Sequence, residues 1–174
     1  MSNIIPALIG LVGTLIGAAI AWFASRRQFK LKAAWDLHRE FNDPDMLTAR
    51  TKADQCLKQI PKGETLRDVY NEEGGSECFM AAWKIMSLYQ RIWIAIKHKQ
   101  LSHKLAVTLF GEVFIWWYIV YFRDKVVPVD DWLVARDLEN FWEWLYQRRS
   151  DMEDFDVWLE VARADRENIS NDAG

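Results

Sequence analysis

The sequence predicts an all-α protein with one N-terminal transmembrane helix followed by a small cytoplasmic bundle of about five helices. Three observations favour this fold class: an uncharged apolar run near the N-terminus, several later segments with helical apolar spacing, and no alternating pattern typical of strands. With 174 residues, of which 51% are hydrophobic and 27% are charged, the chain has the composition of one folded domain rather than of a disordered protein.

The apolar run covers residues 4–24 and contains no charged side chain. A helix of that length spans about 31 Å, enough for a hydrocarbon core of roughly 30 Å. Only uncharged residues precede it, and Arg26, Arg27, Lys30 and Lys32 follow it. The positive-inside rule therefore predicts a single-pass anchor in a bacterial inner membrane, with the N-terminus outside and the rest in the cytoplasm. A cleaved signal peptide is the alternative, disfavoured because no basic segment precedes the run.

Small residues recur along one face of the predicted anchor, at Gly13, Gly17 and Ala21. Such a stripe lets two helices approach closely in lipid, and the spacing predicts packing between membrane helices of a homo-oligomer. The alternative is that glycine is simply common in membrane helices.

The sequence divides into four parts by charge and periodicity. We expect a transmembrane anchor over 1–25, a basic amphipathic stalk over 26–42, a cytoplasmic helical domain over 43–163, and a disordered tail over 164–174. Within the domain, Asp43 and Pro44 are typical of a helix start, and Pro61 ends that helix. Further helices are predicted over about 76–99, 103–123, 131–149 and 150–163.

The helix over residues 105–122 has two interpretations, because it carries only one charge, Glu112. It is long enough to be read as a second membrane span. A carboxylate near the centre of a span is costly, and aromatic residues would lie too deep in the bilayer. The composition therefore favours a buried core helix.

Two arginines and one glutamate form a candidate polar constellation. Arg50 shares a helix face with Met46 and Ala53, so its guanidinium is predicted to need an acid or an anionic ligand. Glu112 is the predicted partner inside the core, and Arg91 is the third member. The alternatives are a structural Arg–Glu pair and a functional polar pocket.

A basic run between two predicted helices is the main candidate site. No acid occurs between Cys78 and Gly111. Cations beside a helix start and tryptophan are suited to a phosphate-bearing ligand. The candidate ligand-binding residues are Arg50, Arg91, Lys97, His98, Lys99, His103 and Lys104. The alternative is a solvated turn held near anionic lipid head groups.

No sequence signature of catalysis is found. The three histidines, at positions 38, 98 and 103, lack metal-ligand spacing, and no common hydrolase or nucleotide-binding motif occurs. Cys56 and Cys78 are expected to be free thiols packed in the core. We therefore expect a non-enzymatic protein with no metal, no cofactor and no double-stranded nucleic acid as a partner.

Several segments resemble a large bacterial family of single-pass membrane-anchored helical proteins. The matching segments are Phe41-Asn42-Asp43-Pro44-Asp45-Met46-Leu47-Thr48-Ala49-Arg50, Leu88-Tyr89-Gln90-Arg91-Ile92, Leu109-Phe110-Gly111-Glu112-Val113-Phe114 and Trp116-Trp117. Gln90 stands where that family usually has glutamate. The resemblance implies the anchored helical fold and no particular activity. In layout alone the chain is similar to membrane effectors of phage defence, including CRISPR-associated ones activated by cyclic oligoadenylate.

The function expected from the sequence is that of an oligomeric membrane effector or sensor. Its cytoplasmic domain would bind a small anionic signal, with a cyclic oligonucleotide in phage defence as the first candidate, and would transmit binding to the membrane helices. The alternative is a membrane-tethered scaffold that recruits a protein partner through exposed aromatic side chains. The expected partners are thus the lipid bilayer, further copies of the chain and a small anionic nucleotide.

Overall fold

The structure is a computed structural model that describes residues 4–71, 75–129 and 131–172. These residues form helices and connecting turns, and no strand occurs among them. The helices are α1 (Ile4–Phe41), α2 (Pro44–Gln59), α3 (Gly75–Lys97), α4 (His103–Lys125), α5 (Leu133–Gln147) and α6 (Phe155–Asp172). Short 3-10 turns lie at Asp68–Asn71 and Arg149–Asp151. The predicted all-helical class is confirmed.

Helix α1 has two parts that differ in what covers them. Every residue over 10–29 is exposed, including large apolar side chains such as Leu15 and Ile20. From Lys30 onward one face turns inward, and Ala34 and Phe41 are buried in the domain core. One unbroken helix therefore joins an uncovered apolar segment to the packed domain.

The turn between α1 and α2 has the predicted local chemistry. The Asn42 side chain donates to the carbonyl of His38 at 2.8 Å, where α1 ends. Asp43 then caps α2, accepting a bond from the Asp45 amide at 2.9 Å, and Pro44 occupies the first turn. Proline is favoured there because that position needs no intrahelical N–H bond.

Helix α4 is the centre of the core. It is long and apolar enough to cross a membrane, but 61% of its apolar stretch is buried inside the protein. Phe110, Phe114 and Tyr121 are fully buried. This burial agrees with the core-helix interpretation of residues 105–122.

Two stretches of α4 are wound as π-helix, over Val107–Gly111 and Tyr118–Phe122. In a π turn the bonds run five residues along, so the side chains after it lie at a different angle from those of a regular α-helix. Gly111 lies at the end of the first stretch, and a Cβ atom there would be 3.7 Å from the Trp158 ring. This distance is an ordinary van der Waals contact, so α6 packs against α4 at Gly111 with room for a methyl group.

Two ion pairs show how α3 runs relative to α2 and α1. Lys52 of α2 pairs with Glu77 at 2.8 Å near the start of α3. Arg91, later in α3, pairs with Glu40 of α1. Helix α3 therefore returns along α2 toward the C-terminal end of α1, which lies farthest from its exposed segment.

The C-terminal region differs from the sequence prediction. In the structure α6 continues to Asp172, through most of the segment over 164–174 for which the sequence predicts a disordered tail. Polar side chains hold it: Asp165 accepts a bond from the Trp116 indole at 2.8 Å, and Arg166 pairs with Asp124. These bonds join residues that are far apart in the sequence, and the low content of apolar residues in this segment gave no sign of them. Residues 173–174 lie outside the described residues.

Two predicted helix starts also differ from the structure. Ser102 occupies the N-cap position of α4, but its side chain makes no capping hydrogen bond. Trp132 precedes the first residue of α5, which begins at Leu133 rather than near position 131. Capping patterns in a sequence show where a helix can start, and tertiary packing decides between neighbouring positions.

Candidate functional site

Most of the predicted ligand-binding residues lie together at one end of the domain. Lys97 is the last residue of α3, the next two residues form the turn, and His103 and Lys104 begin α4. Helices α1 and α5 add two more cations that the sequence analysis did not select. We call this group the basic end; its members are Lys30, Lys97, His98, Lys99, His103, Lys104 and Arg148.

The turn at the basic end has a defined backbone. Lys99 adopts the left-handed conformation, with φ of 58°. Its amide bonds to the Ile96 carbonyl at 3.0 Å, and the Gln100 amide bonds to the Ala95 carbonyl at 2.8 Å. This pair of bonds is the Schellman arrangement that ends many helices, usually with glycine in the left-handed position. Leu101, which is 1% exposed, anchors the turn in the core.

His103 connects the turn to α5 and α1. Its ring packs edge-to-face on Trp144, with centroids 5.2 Å apart, and the Arg148 guanidinium lies 4.7 Å from the centroid of the same indole. Burial lowers the pKa of His103, and the positive charges of Arg148 and Lys30 lower it further. Side chains from three helices therefore interact electrostatically at this end, and the lowered pKa favours the neutral form of His103.

Acidic partners occur elsewhere in the domain rather than at the basic end. No ion pair within the described residues involves a member of the basic end. The observed pairs are Lys52–Glu77, Lys58–Asp54, Arg67–Asp131, Arg91–Glu40 and Arg166–Asp124. The basic end thus presents positive charge that no described residue neutralises by direct pairing.

Arg91 does not join the basic end. Its guanidinium makes two hydrogen bonds to the Glu40 carboxylate, one of 2.9 Å, and so ties α3 to α1. Both side chains are substantially exposed, so this pair contributes about 1 kcal/mol or less to stability. Its role is to fix the position of α3 on α1.

Arg50 also lies apart, and its predicted pairing with a buried Glu112 is wrong. Glu112 is exposed, on a strip of α4 that also carries Lys104 and Thr108 at intervals of four residues. The Arg50 guanidinium lies 4.2 Å from the centroid of the Phe41 ring instead. A cation–π contact of this kind stabilises the group without an acid.

A small polar region around Arg50 is nevertheless buried. Its Nε atom and the Tyr89 hydroxyl have no hydrogen-bond partner within the part of the chain that the structure describes. Burial raises the pKa of Tyr89, while the nearby charge of Arg50 lowers it. These groups lie in the core, so they belong to packing and not to the basic end.

Two larger concave surfaces lie away from the basic end. A groove of about 880 Å³ between α2 and α3 is bordered by Met80 and Trp83, whose side chains are partly exposed. A cavity of about 1040 Å³ lies where α2, α4 and α6 meet, with Lys62 and Arg163 on its lining. On the same lining the Lys125 ammonium donates to the carbonyls of Leu57 and Ile60, and burial lowers its pKa.

The predicted packing stripe lies on the exposed part of α1. Gly13, Gly17 and Ala21 are all exposed. A Cβ atom added at either glycine would have nothing within 4 Å. Within one chain, this face is therefore open to a second helix.

Other chemistry-bearing residues lie outside the basic end. No group of three or more possible metal ligands occurs among the residues that the structure describes. Cys56 and Cys78 are free thiols, as predicted, and burial raises the pKa of Cys78 to about 12. A thiol with so high a pKa is a poor nucleophile at neutral pH.

Sequence reasoning missed Lys30, Trp144 and Arg148 as members or supports of the site. Trp144 and Arg148 are four residues apart, which is a recognisable signal for a side-chain pair on one helix face. Nothing in the sequence indicates that this pair lies beside His103, because that contact joins residues about 40 positions apart.

No family model, curated protein or solved structure matches this chain.

Proposed function

We propose that this chain is a membrane-anchored, non-enzymatic sensor or effector whose cytoplasmic domain binds phosphate-bearing anions and passes that event to its membrane helix. One observation carries the proposal: α1 is unbroken from its exposed apolar part into the core of the domain. An apolar helix surface of this extent is stable in lipid and costly in water.

Features of α1 support the anchor. Residues 10–24 carry no charge, and their large apolar side chains are exposed. Trp22 lies near the predicted interface, with the Arg26 guanidinium 5.2 Å from its ring centroid. Indole and guanidinium groups are both suited to the head-group layer. The inner membrane and the N-out orientation follow from the basic residues after the apolar run.

Coupling between the domain and the anchor is supported by the way α1 is held. Ala34 and Phe41 are buried among core residues, and Glu40 pairs with Arg91. Lys30, in the same helix, contributes to the basic end. An anion bound at the basic end would thus contact the helix that continues into the bilayer.

The proposed ligand is small and phosphate-bearing, with a cyclic oligonucleotide as the first candidate signal. Lysine ammonium groups act as point charges for phosphate, and the two imidazole rings offer further N–H donors. The basic end brings such cations together, and none of them has a direct acidic partner among the described residues. Phage defence remains the proposed biological setting, since a protein that responds to a nucleotide by rearranging membrane helices suits that role.

Ligand binding is testable by thermal denaturation of the full chain in neutral detergent. A cyclic oligoadenylate at about one hundred times its Kd should stabilise the folded state by about 2.7 kcal/mol, which raises Tm by roughly 5–10 °C for a chain of this size. Linear mononucleotides are the control for phosphate charge alone. Unchanged Tm with every cyclic oligonucleotide would reject the signal-binding part of the proposal.

The proposed homo-oligomer depends on the glycine face of α1. Replacing Gly13 and Gly17 together by leucine should reduce crosslinking between full-length chains in membranes several-fold, because close helix approach is lost. The single chain has open space at both positions, so the domain should unfold at the same Tm. Leu11→Ile and Leu15→Ile on the same helix form the matched control. Equal crosslinking of both variants would show that this face does not mediate association.

The second candidate function is a tethered scaffold for a protein partner. It is favoured by the groove between α2 and α3, where Met80 is 62% exposed and Trp83 is 38% exposed. Aromatic and methionine side chains are enriched where proteins bind one another. The thermal experiment separates the two functions, because a scaffold would show no stabilisation by any nucleotide.

A further inference from the structure

The basic end lies at a particular place in the fold, on the side from which α1 leaves the domain. Lys30 is half-buried, and the preceding residues of α1 over 10–29 are exposed. The end of α3, the start of α4 and the end of α5 meet beside it, as His103 and Arg148 show. The cations therefore lie on the surface nearest the apolar segment.

The distance from that surface to a bilayer follows from helix geometry. Lys30 lies six positions after Ala24, the end of the uncharged run. At 1.5 Å per residue this is about 9 Å. The head-group layer of one leaflet is roughly 5–8 Å thick, and electrostatic attraction extends about 8 Å further at physiological salt. The ammonium groups of the basic end are thus within reach of lipid phosphates.

We propose that the basic end rests on the anionic head groups of the leaflet through which α1 passes, so that lipid phosphates are its resident ligands. The inference rests on the proposed anchoring by α1. Lipid phosphates would occupy the basic end first, because the anchor keeps this surface near the bilayer at a high effective concentration. A soluble anion would then have to compete with lipid for the same cations.

The distribution of charge agrees with a surface contact on the α1 side. Arg26 and Arg27 lie between the apolar run and Lys30, so positive charge is continuous along α1. The turn between α5 and α6 begins at Arg148, at the same end of the domain, and carries acids at Asp151, Glu153 and Asp154, all exposed. We therefore expect anionic lipid to attract the edge formed by α1, α3 and α4, where the lysines lie, and to repel the neighbouring edge formed by the turn after α5.

The test compares full-length chain reconstituted in nanodiscs of phosphatidylcholine with nanodiscs that also contain phosphatidylglycerol. Acetylation of each lysine by a neutral reagent is followed by mass spectrometry. We expect Lys97, Lys99 and Lys104 to react about fivefold more slowly with the anionic lipid, the factor that corresponds to the attraction per cation. Lys62 and Lys84, which are exposed and distant from this end, should react equally in both.

Salt and a soluble anion give two further arms of the same experiment. High salt should restore the reaction rates in anionic discs, because the contact is electrostatic. Cyclic oligoadenylate added to the neutral discs tests whether a free phosphate ligand covers the same lysines. Protection by the nucleotide with none by phosphatidylglycerol would overturn the inference and leave the proposed signal binding standing.

Variants test whether these cations cause the contact. The triple variant Lys97→Glu, Lys99→Glu and Lys104→Glu should lose the rise in Tm that we expect for the parent chain in anionic discs. The control triple variant, Lys62→Glu, Lys84→Glu and Arg123→Glu, has the same charge change on exposed residues and should keep it. Equal behaviour of the two variants, or equal lysine reactivity in both lipids, would refute the contact.

Failure of the anchor is distinguished by extraction of the same membranes with alkaline carbonate. A chain that stays in the membrane pellet but shows no effect of phosphatidylglycerol refutes only the lipid contact. A chain released into the supernatant refutes the anchoring on which both proposals depend.

Discussion

Replacing Phe114 by alanine is expected to lower the free energy of unfolding of the helical domain by about 3–5 kcal/mol. The Phe114 ring is fully buried in α4, and its centroid lies 4.3 Å from that of Phe141 and 4.9 Å from that of Tyr89. Truncation would leave a cavity between three helices that close packing cannot refill. Denaturant unfolding of the full chain in detergent, followed by circular dichroism, measures the change.

Tyr89→Phe is the matched variant in the same cluster and should have the opposite sign. It keeps the ring but removes a hydroxyl that is buried without a hydrogen-bond partner among the described residues. Removing such a group should stabilise the domain by about 1 kcal/mol. If Phe114→Ala costs less than about 1 kcal/mol, the aromatic cluster around α4 is not the centre of the core.

The second large effect is expected for Leu15→Asp combined with Ile16→Asp. Both side chains are more than half exposed and lie near the middle of the apolar run. Two carboxylates there should disfavour membrane insertion by roughly 6–8 kcal/mol. A reporter fused after Gly174 should give a cytoplasmic signal in both chains, with the parent in the membrane fraction and the variant in the soluble or degraded fraction.

The control for this prediction makes the same chemical change farther along α1. Leu31 and Trp35 are exposed apolar residues of the same helix, beyond the uncharged run. Leu31→Asp with Trp35→Asp should remain in the membrane fraction, because these positions are predicted to be in water. A double aspartate variant at 15 and 16 that stays in the membrane, or a periplasmic reporter signal from the parent, would contradict the topology.

Local chemistry allowed much of the fold to be predicted. The start of α2 at Pro44 follows from Asp43 and proline alone, and the burial of α4 follows from its aromatic content and the cost of placing Glu112 in lipid. The continuation of α1 to Phe41 follows from apolar residues at intervals of four. In each case the deciding interaction lies within a few residues or within one helix.

What was missed depended on contacts between distant residues or on irregular winding. The pairing of Arg166 with Asp124 holds α6 beyond its apolar part, and no local signal indicates it. Glu112 directly follows a π-helical stretch and lies on an exposed strip. Regular α-helical spacing does not give the direction of a side chain that follows such a stretch. The predicted pairing of Glu112 with Arg50 was therefore wrong.

The candidate site was predicted in its contiguous part only. The run from Lys97 to Lys104 is visible because its cations are neighbours in the sequence. Arg50 was included because its guanidinium was predicted to need an acid or an anion, and Arg91 because it belongs to the same polar constellation; in the structure Arg50 contacts the Phe41 ring and Arg91 pairs with Glu40. Charge requirements identify residues that must be compensated, and the fold decides by which group.

The unbroken course of α1 has a consequence for how the domain and the membrane segment are aligned in angle. A straight α-helix is stiff to twisting. The face of α1 that packs on the domain at Lys30 and Ala34 therefore fixes the direction in which the glycine face points around the helix axis. Each residue between the two regions contributes about 100° of rotation. Inserting one residue there would turn Gly13 and Gly17 by that angle, whereas inserting seven would bring them back to within about 20°. The length of the segment from 25 to 29 therefore sets the angle between the glycine face and the domain.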